Sequence, residues 1–591
     1  MKVLLLHPAD PLRQRYLTHR WDWVVDLGRA PASTYDRWRQ QANCRVTSLY
    51  DMSVEIEDLY CIKQLLQLAT GAMVDRWGID WWDLLSLEIQ SDVHQFILVN
   101  RLSKELGPGC EIYSSRCSPL AAALGDLLGT RPTVMSGGLE RALRRIQHYH
   151  QILSGLDPSQ VAQVLEDKLQ GRHSFLQSFV PRRRSSMRPV VLLPSAYINV
   201  SRTALAYAAL LPDKQFLLVI NRTSAKPPSL PANVGLASLT SYRGTPDRKE
   251  MQSLLNSWHT LHRQLTAGSE EFRLADAAGI LARIPKLLDW GIGLRDAWIR
   301  VFESEEIVAC LSADDSNPPS SIPLLLAKAR GLPALACHHG ALNYHMALKA
   351  NHADSYLVKS EMERDYLRLV ARVPARRIIR GGPKGPDLYR SESLPRSDAP
   401  GMVFFTEPYQ ALSWRADEIY ADLLPRLWAL AQDCGLKLVL KLHPFESAKE
   451  RRRTVNRHLG AKAAGEIGII SGPPSSEVWC NTRFALTVQS SVALECNALG
   501  IPVFLLSWLR DHYSGYVSQY ARFGIGRVLD SPEQISEIPH LLATCNPGSD
   551  RTAPWATLDS GEFERLLSGT SSAEKAGHDE ELESFSHSYT A

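Results

Sequence analysis

The sequence has almost no net charge and no long apolar run. Its 591 residues hold 66 Lys and Arg against 63 Asp and Glu, so the formal net charge is only +3. This balance gives no argument for a nucleic-acid partner. No stretch reaches the roughly 18 to 20 consecutive apolar residues that a membrane-spanning helix needs. We therefore expect a protein that neither binds nucleic acid nor spans a membrane.

Cysteine forms no recognisable pattern. The 10 Cys include no C-x-x-C pair and no spacing typical of a zinc site. The apolar run at 3–6 is far shorter than the core of a signal peptide and is typical of a first buried strand. With 45% hydrophobic and 22% charged residues, global disorder is excluded. These features favour a cytoplasmic globular protein.

Three apolar strands, each followed by a polar loop and a helical pattern, open three predicted units. We place an N-terminal α/β domain without an assigned role at 1–175, a second domain at 188–380 and a third at 400–535. A helical insertion near 247–302 interrupts the second, and a disordered tail is predicted at 570–591. Alternating strands and helices predict parallel sheets covered on both faces. The predicted fold class is therefore α/β, with doubly wound Rossmann-like domains.

In the third unit, a predicted strand at 436–442 ends in His443 and Pro444. Proline cannot continue the strand's hydrogen bonding, so the chain turns away and leaves the imidazole in the crevice at the strand's carboxyl end. There it can donate a hydrogen bond to a phosphate. The structural alternative is a histidine that closes a surface turn.

Another strand of the same unit leads into Ser490, Ser491 and, one helical turn later, Glu495. Hydroxyls and backbone N–H groups at a helix start can bind an anion, although plain helix capping explains them too. A carboxylate at Glu495 can accept the hydroxyls of a ribose, or simply favour the first turns of its helix. Both strand ends belong to one sheet, so we expect these residues to face the same crevice as His443.

The order and spacing of these motifs, followed by Ala-Leu-Gly-Ile-Pro at 498–502, resemble the C-terminal domain of GT-B glycosyltransferases. The pattern is most similar to bacterial sialyltransferases and Kdo transferases, which use CMP-activated sugars; capsule-type glycosyl and glycerophosphate transferases share much of it. The resemblance covers about 190–535. It implies two facing doubly wound domains, catalysis without a metal or cofactor, and a nucleotide phosphate held by His443, Ser490 and Ser491.

The other half of the implied cleft contains two candidate catalytic pairs. Asp314 and Asp315 follow a predicted strand, and adjacent carboxylates can raise one another's pKa, which suits a base near neutral pH. The acidic motif of sialyltransferases has Gly where this chain has Ser316, and the following Asn-Pro is also typical of a simple turn. His338 and His339 follow another strand. They resemble the His-Gly turn of capsule-type transferases, in which one imidazole would stabilise the leaving phosphate. Because both histidines follow a buried strand, we expect at least one of them only to pack.

Other residues are weaker candidates. Thr406 and Glu407 end the first strand of the third unit, beside the predicted nucleotide. In the first unit, the pair at 81–82 is typical of core tryptophan, and Glu88 is a remote candidate for an acid or base. Candidates for substrate contacts also include Ser195, Tyr197 and Arg202 after the first strand of the second unit, and Lys384 on the Gly- and Pro-rich connector.

Together these features predict a cytoplasmic glycosyltransferase of bacterial surface polysaccharide synthesis (capsule or O-antigen). Its donor would be a nucleotide sugar, with CMP as the implied nucleotide, and its acceptor a glycan or lipid-linked glycan. A lipid-linked acceptor would place it at the inner membrane as a peripheral protein. Two alternatives stay open: a nucleotide-sugar 2-epimerase, and a catalytically inactive glycan-binding or scaffold subunit.

Overall fold

A computed structural model describes residues 1–135, 188–244, 247–340, 342, 345–350, 352–383, 400–409, 414–472, 474–509, 516–544 and 555–569. The named strands of these residues form three sheets, and their strand pairs are parallel. This confirms the predicted α/β fold class. Lys384 and the predicted tail at 570–591 lie outside the described residues.

The first sheet has five strands in the order β3-β2-β1-β4-β5. Its strands are β1 Lys2–Leu6, β2 Trp23–Asp26, β3 Arg45–Ser48, β4 Glu111–Ser114 and β5 Thr133–Val134. Its helices are α1 Gln14–Leu17, α2 Ala32–Ala42, α3 Glu55–Gln67, α4 Trp81–Ser86, α5 Gln90–Leu106 and α6 Pro119–Leu127.

The second sheet has seven strands in the order β12-β11-β10-β9-β6-β7-β8. Its strands are β6 Val190–Ser195, β7 Phe216–Ile220, β8 Val234–Ser238, β9 Ile307–Ser312, β10 Ala334–Cys337, β11 Ser355–Val358 and β12 Ile378–Arg380. The accompanying helices are α7 Ile198–Ala208, α8 Arg248–Gly268, α9 Glu270–Ala277, α10 Ile284–Ser304, α11 Pro318–Ala329, α12 His345–Leu348 and α13 Glu361–Leu369.

The third sheet has six strands in the order β15-β14-β13-β16-β17-β18. Its strands are β13 Gly401–Phe405, β14 Lys437–Lys441, β15 Gly468–Ile470, β16 Thr482–Thr487, β17 Val503–Leu506 and β18 Arg527–Leu529. The later helices are α14 Ala416–Asp433, α15 Ala448–Glu466, α16 Ser476–Asn481, α17 Val492–Leu499, α18 Tyr516–Arg522, α19 Ile538–Thr544 and α20 Ser560–Leu567.

Central strands are mostly apolar because helices cover both faces of each sheet. Every residue of β6, β7 and β13 is buried. Continuous apolar runs therefore predicted these strands correctly. The edge strands β8, β12 and β18 were missed, since they are short or only partly buried and their sequences lack such a run.

In each sheet the chain order reverses once, beside its first strand. The reversal lies between β1 and β4, between β6 and β9, and between β13 and β16. At such a point the loops leave in opposite directions and open a crevice at the carboxyl ends of the strands, where α/β proteins place ligands. The two reversals in the second and third sheets position the candidate site.

The helical insertion of the second unit packs against the first unit. Trp82 on α4 stacks on Trp258 of α8 with ring centroids 6.1 Å apart. A Cβ atom at Gly291 on α10 would lie 2.4 Å from the Trp81 ring, so glycine permits this close approach of the two helices. The buried Arg295 of α10 also forms a 2.7 Å ion pair with the buried Asp75. The insertion thus joins the first unit to the second.

After the third unit the chain returns to the second. Leu558 and Gly382 form a backbone hydrogen bond of 2.8 Å. Phe563 and Leu566 of α20 belong to the apolar core of the second sheet, which also contains Tyr207. The sequence analysis assigned no structure to this segment. In the described part of the chain, no helix is both long and apolar enough to cross a membrane.

Candidate functional site

The crevice of the second sheet brings Tyr197 and Asp314 together. Tyr197 follows β6 and Asp314 follows β9, the two strands at the reversal. The Tyr197 hydroxyl donates a 2.6 Å hydrogen bond to Oδ2 of Asp314 and lies 3.2 Å from Nε2 of His339. Three residues singled out from the sequence therefore form one polar chain, although 117 positions separate Tyr197 from Asp314.

Both oxygens of Asp314 accept hydrogen bonds. Oδ1 accepts from the backbone N–H of Ser316 at 2.9 Å and from its hydroxyl at 2.6 Å, and Oδ2 accepts from the Asn317 amide at 2.6 Å. Burial by itself would raise the pKa of Asp314, but the neighbouring His339 and His338 and the hydrogen bonds from Ser316 and Tyr197 hold it below its usual value. Ser316, the position at which this chain departs from the sialyltransferase motif, thus donates two hydrogen bonds to the Asp314 carboxylate.

Asp315 is buried in a separate ion pair. Its Oδ1 contacts the ammonium of Lys349 and lies 3.5 Å from His338 Nε2, while its Oδ2 accepts a 2.9 Å hydrogen bond from the Tyr356 hydroxyl. Although burial opposes ionisation, Lys349 and His338 hold the pKa of Asp315 far below its usual value. The prediction that the two adjacent carboxylates raise one another's pKa is wrong, because each has its own partners.

Asp314, Asp315 and His338 present ligand atoms within 4.8 Å of one another, which is compatible with a metal ion. The Lys349 ammonium already neutralises one of the carboxylates, and hydrogen bonds occupy both oxygens of the other. A cation would have to displace these partners. The donor set therefore fits a self-compensated cluster better than a metal centre.

His339 lies at the surface of the crevice as a neutral imidazole. Burial is the main reason why its pKa is lowered to about 4. Its Nδ1 lies 3.2 Å from the carbonyl oxygen of Ala313, so Nδ1 carries the proton and donates a hydrogen bond to that oxygen. Nε2 is therefore an acceptor beside the Tyr197 hydroxyl. His338 is more deeply buried and packs parallel to His339, with the ring centroids 6.2 Å apart.

In the third sheet, the loop after β14 presents His443 as a hydrogen-bond donor. Its Nδ1 accepts from the backbone N–H of Phe445 at 3.3 Å. Burial, followed by the nearby charges of Lys441 and His339, lowers the pKa of His443 to about 4. A neutral ring whose Nδ1 accepts must carry its proton on Nε2. This is the donor that a phosphate requires, and Pro444 turns the loop after it.

Glu446 organises this loop, and the sequence analysis gave it no role. Its carboxylate accepts from the His443 backbone N–H at 3.1 Å, from the Tyr420 hydroxyl at 3.1 Å and from the Thr406 hydroxyl. It also pairs with Arg451 at 2.7 Å, where both side chains are nearly buried. Thr406 Oγ1 in turn accepts from the His443 N–H at 3.1 Å. Thr406 is thus a structural partner of the His443 loop.

Glu407 lies at the reversal point of the third sheet, after β13. Its Oε1 accepts from the backbone N–H of Gln489 at 3.4 Å, which joins it to the loop after β16. The side chain is nearly inaccessible, and this burial raises the pKa of Glu407 to about 8. A carboxyl group that is protonated at pH 7 can donate a hydrogen bond as well as accept one.

Ser490 and Ser491 precede α17, as predicted. Ser491 stands at the N-cap position without making a side-chain capping bond, while Ser490 Oγ accepts from the Val492 N–H at 3.4 Å. The Tyr520 hydroxyl donates to the Ser490 carbonyl at 3.0 Å and fixes the loop. Ordinary N-capping by Ser491 is therefore not what this helix start uses.

The charges of cationic side chains from the second and third units act on Glu495. Burial raises the pKa of Glu495, and the charges of Lys359, Arg202 and Lys441 oppose that rise. Lys359 and Arg202 belong to the second unit, while Lys441 and Glu495 belong to the third. His339 likewise acts on His443 across the same gap. Charged side chains of the second and third units are therefore near enough to act on one another.

Burial and the charge of Arg202 lower the pKa of Lys441 to about 8. Lys359 is fixed by hydrogen bonds to the His338 carbonyl at 2.9 Å and by a 3.0 Å ion pair with Glu363. Neither lysine was predicted from the sequence. Their only signal is their position at the carboxyl ends of β14 and β11, which the sequence shows once the strands are assigned.

Other candidates lie apart from this group. The Ser195 hydroxyl is buried, lies 2.7 Å from Ser201 Oγ and donates to the Tyr197 carbonyl at 3.1 Å, so it holds the loop and is closed to a ligand. The Trp pair at 81–82 is fully buried core. Glu88 is exposed beside Arg222 and Arg283, and no described contact joins it to Asp314 or His443.

No protein-family model matches the chain, and no curated protein matches it by sequence. Solved structures with a similar fold include UDP-GlcNAc 2-epimerase from Neisseria meningitidis bound to UDP-GlcNAc (11% identity, 64% of this chain, 97% of that chain, TM-score 0.37). The enzyme of that name from Methanocaldococcus jannaschii gives 13% identity, 64% and 99% coverage and a TM-score of 0.39. CalG4, the calicheamicin glycosyltransferase, is 12% identical; the match covers 66% of this chain and 97% of that chain, with a TM-score of 0.37. Similarity at this level carries no conclusion about activity.

Proposed function

We propose that the protein is a glycosyltransferase that uses a nucleotide-activated sugar bound between the second and third sheets. This proposal is supported by the neutral His443 Nε2–H donor of the third sheet, together with the charges of Arg202, Lys359 and Lys441, from both units, that act on Glu495. A small group of hydrogen-bond donors and cations can bind the one or two phosphates of a nucleotide. A protein with such a group does not need an extended basic surface.

On the third sheet, the nucleotide phosphate would lie against His443, Ser490 and Ser491. The three cations would offset the charge that develops on the departing nucleotide, which lowers the barrier if they act more strongly in the transition state than on the bound donor. Glu495 would accept the ribose hydroxyls. Glu407, protonated at neutral pH, would contact the nucleotide as a donor.

On the second sheet, Asp314 is the candidate for activating the acceptor hydroxyl. It reaches the crevice through Tyr197, whose hydroxyl it holds at 2.6 Å, and His339 Nε2 offers a second acceptor there. Asp315 is committed to Lys349 and Tyr356, which supports a positioning role for it. His338 would contribute only through Asp315.

The finer assignments rest on the motif resemblance. CMP as the nucleotide, a capsular or O-antigen glycan as the product, a lipid-linked acceptor and a peripheral position at the inner membrane are what the resemblance at His443-Pro444 and Ser490-Ser491 implies. No separate cofactor is part of this proposal.

A thermal-shift panel with CMP, CDP, UDP, GDP and their sugars tests the donor. A ligand that binds the folded state raises the unfolding temperature by mass action, so the correct nucleotide should stand out. A response to UDP without one to CMP would overturn the CMP assignment, and no response to any nucleotide would overturn the function. Isomerisation of the donor sugar without transfer would support the epimerase alternative.

His443→Ala should weaken the selected nucleotide by about 1.5–3 kcal/mol, or roughly 10- to 150-fold, because a hydrogen bond to a charged group is lost. Isothermal titration calorimetry measures this change. His540→Ala, an exposed histidine of the same unit, is the matched control and should leave affinity unchanged. Equal affinities for the two variants would remove the phosphate role of His443.

A further inference from the structure

Helix α4 of the first unit contacts the segment that carries Lys349. Asp83 Oδ1 accepts from the backbone N–H of Ala350 at 3.1 Å, and Asp83 Oδ2 lies 2.8 Å from His352 Nε2. Both the Asp83 and His352 side chains are only 12% exposed. Lys349 directly precedes Ala350. A side chain of the first unit thus holds the backbone next to Lys349.

Lys349 in turn determines the electrostatics around Asp315. Its side chain is 1% exposed and its ammonium contacts a carboxylate that is fully buried. A buried carboxylate without a partner is strongly unfavourable, so moving Lys349 would unbalance the cluster that includes Tyr356 and His338. The location of Lys349 and of the adjoining Ala350 therefore matters for the second-sheet crevice.

Asp83 is presented from a rigid platform. The adjacent Trp81 and Trp82 are fully buried, and the Trp82 indole donates to the Leu66 carbonyl at 2.6 Å. Trp81 packs directly on Gly291 of α10, and Asp80 caps the helix through the Trp82 N–H at 3.0 Å. Because these contacts fix α4 against the second unit, the Asp83 side chain can hold the backbone at Ala350 in place.

We propose that Asp83 is a positioning residue of the candidate active site, and that one role of the first unit is to keep Lys349 on Asp315. The positional coupling stands on the contacts alone. Its consequence for catalysis rests on the proposed function, in which the crevice around Asp314 activates the acceptor.

Acetylation of the folded full-length chain with acetic anhydride, read by peptide mass spectrometry, measures the exposure of individual lysines. Lys349 should react roughly tenfold faster in Asp83→Ala than in the unchanged protein, since losing a hydrogen bond to a charged group makes local opening easier. Asp83→Asn retains an acceptor for the Ala350 N–H, so the acetylation rate of Lys349 in this variant should lie between those of the unchanged protein and Asp83→Ala. Asp92→Ala removes a 2.8 Å ion pair with Arg283 at the same interface and should not change the rate at Lys349.

The buried Lys359, held by Glu363, is an internal reference. Faster labelling of Lys349 with unchanged labelling of Lys359 supports the proposal. An unchanged rate at Lys349, or equal acceleration at both lysines, overturns it, the second because Asp83 would then stabilise the whole unit. Calorimetry with CMP, CDP, UDP and GDP runs in parallel: if the unchanged protein binds none of them, the proposed function fails while the labelling result still decides the coupling. With donor turnover in hand, Asp83→Ala should lower kcat and leave the donor KM unchanged.

Discussion

Individual residues in the crevice have protonation states that their side chains would not have in water. Burial lowers the pKa of His339 and of His443 to about 4 and raises that of Glu407 to about 8. All three are therefore neutral at pH 7, because removal from water penalises the charged form. The positive charge of the crevice depends on lysine and arginine. Even Lys441 is close to losing its proton, since its pKa is lowered to about 8.

Glu407→Gln should stabilise the protein increasingly as the pH rises from 5 to 8. Between the unfolded pKa near 4.5 and the folded value of about 8, the unfolded chain releases a proton that the folded protein retains. The unchanged protein then loses about 1.4 kcal/mol of unfolding free energy per pH unit from this group, and the variant does not. Denaturant unfolding of both proteins at pH 5, 6, 7 and 8 gives the difference. A difference that stays constant with pH would contradict the raised pKa.

At the scale of the element, the loop between β14 and α15 owes its shape to one carboxylate. Glu446 connects the His443 backbone to Thr406, Tyr420 and Arg451. Proline at 444 turns the chain, but the bonds of Glu446 determine where His443 points. The His443-Pro444 motif therefore orients its imidazole only together with contacts from α14 and α15.

Glu446→Ala should lower the free energy of unfolding by about 3–5 kcal/mol, because the nearly buried Arg451 loses its partner. It should also weaken nucleotide binding, since His443 loses a backbone anchor. Chemical denaturation and calorimetry measure the two effects. Glu450→Ala, an exposed position in the first turn of α15, is the control and should change stability little. Equal stabilities would show that Glu446 does not organise the loop.

At the scale of the whole molecule, the first unit touches both of the others. Arg415, just before α14 of the third unit, reaches the crevice of the first sheet and pairs with Asp26 at 2.7 Å. It also donates to the carbonyl oxygens of Asp10 at 2.9 Å and His7 at 3.1 Å. The crevice that would hold a ligand in another doubly wound sheet thus holds a guanidinium group. The first unit connects the two halves of the candidate site.

Arg415→Ala should destabilise the contact between the first and third units by about 3–5 kcal/mol, because it leaves the buried Asp26 carboxylate without its cationic partner. We expect a lower unfolding temperature and faster limited proteolysis. Arg426→Ala on α14 breaks the more exposed ion pair with Glu533 and should lower the free energy of unfolding by less than about 1 kcal/mol. If both variants behave alike, the Arg415 contact does not hold the units together.

The candidate site was predictable as a set of strand ends and not as a set of contacts. Apolar runs located β6, β9, β13 and β14, so the loops that follow them, and His443 and Asp314 within these loops, could be selected. The partners could not be selected, because Lys349 and Glu446 occupy positions that no local pattern distinguishes. The prediction of raised carboxylate pKa values failed for the same reason.

By itself, then, the sequence determined the α/β class, because an apolar strand followed by an amphipathic helix is stable only in a covered parallel sheet. The tertiary structure alone decided which side chains meet. Strand order brings Tyr197 to Asp314 across 117 positions, and the packing of whole units brings Arg415 to Asp26 across 389. Such contacts arise because strand order and the burial of apolar surface between units, rather than spacing along the chain, set which polar groups become neighbours.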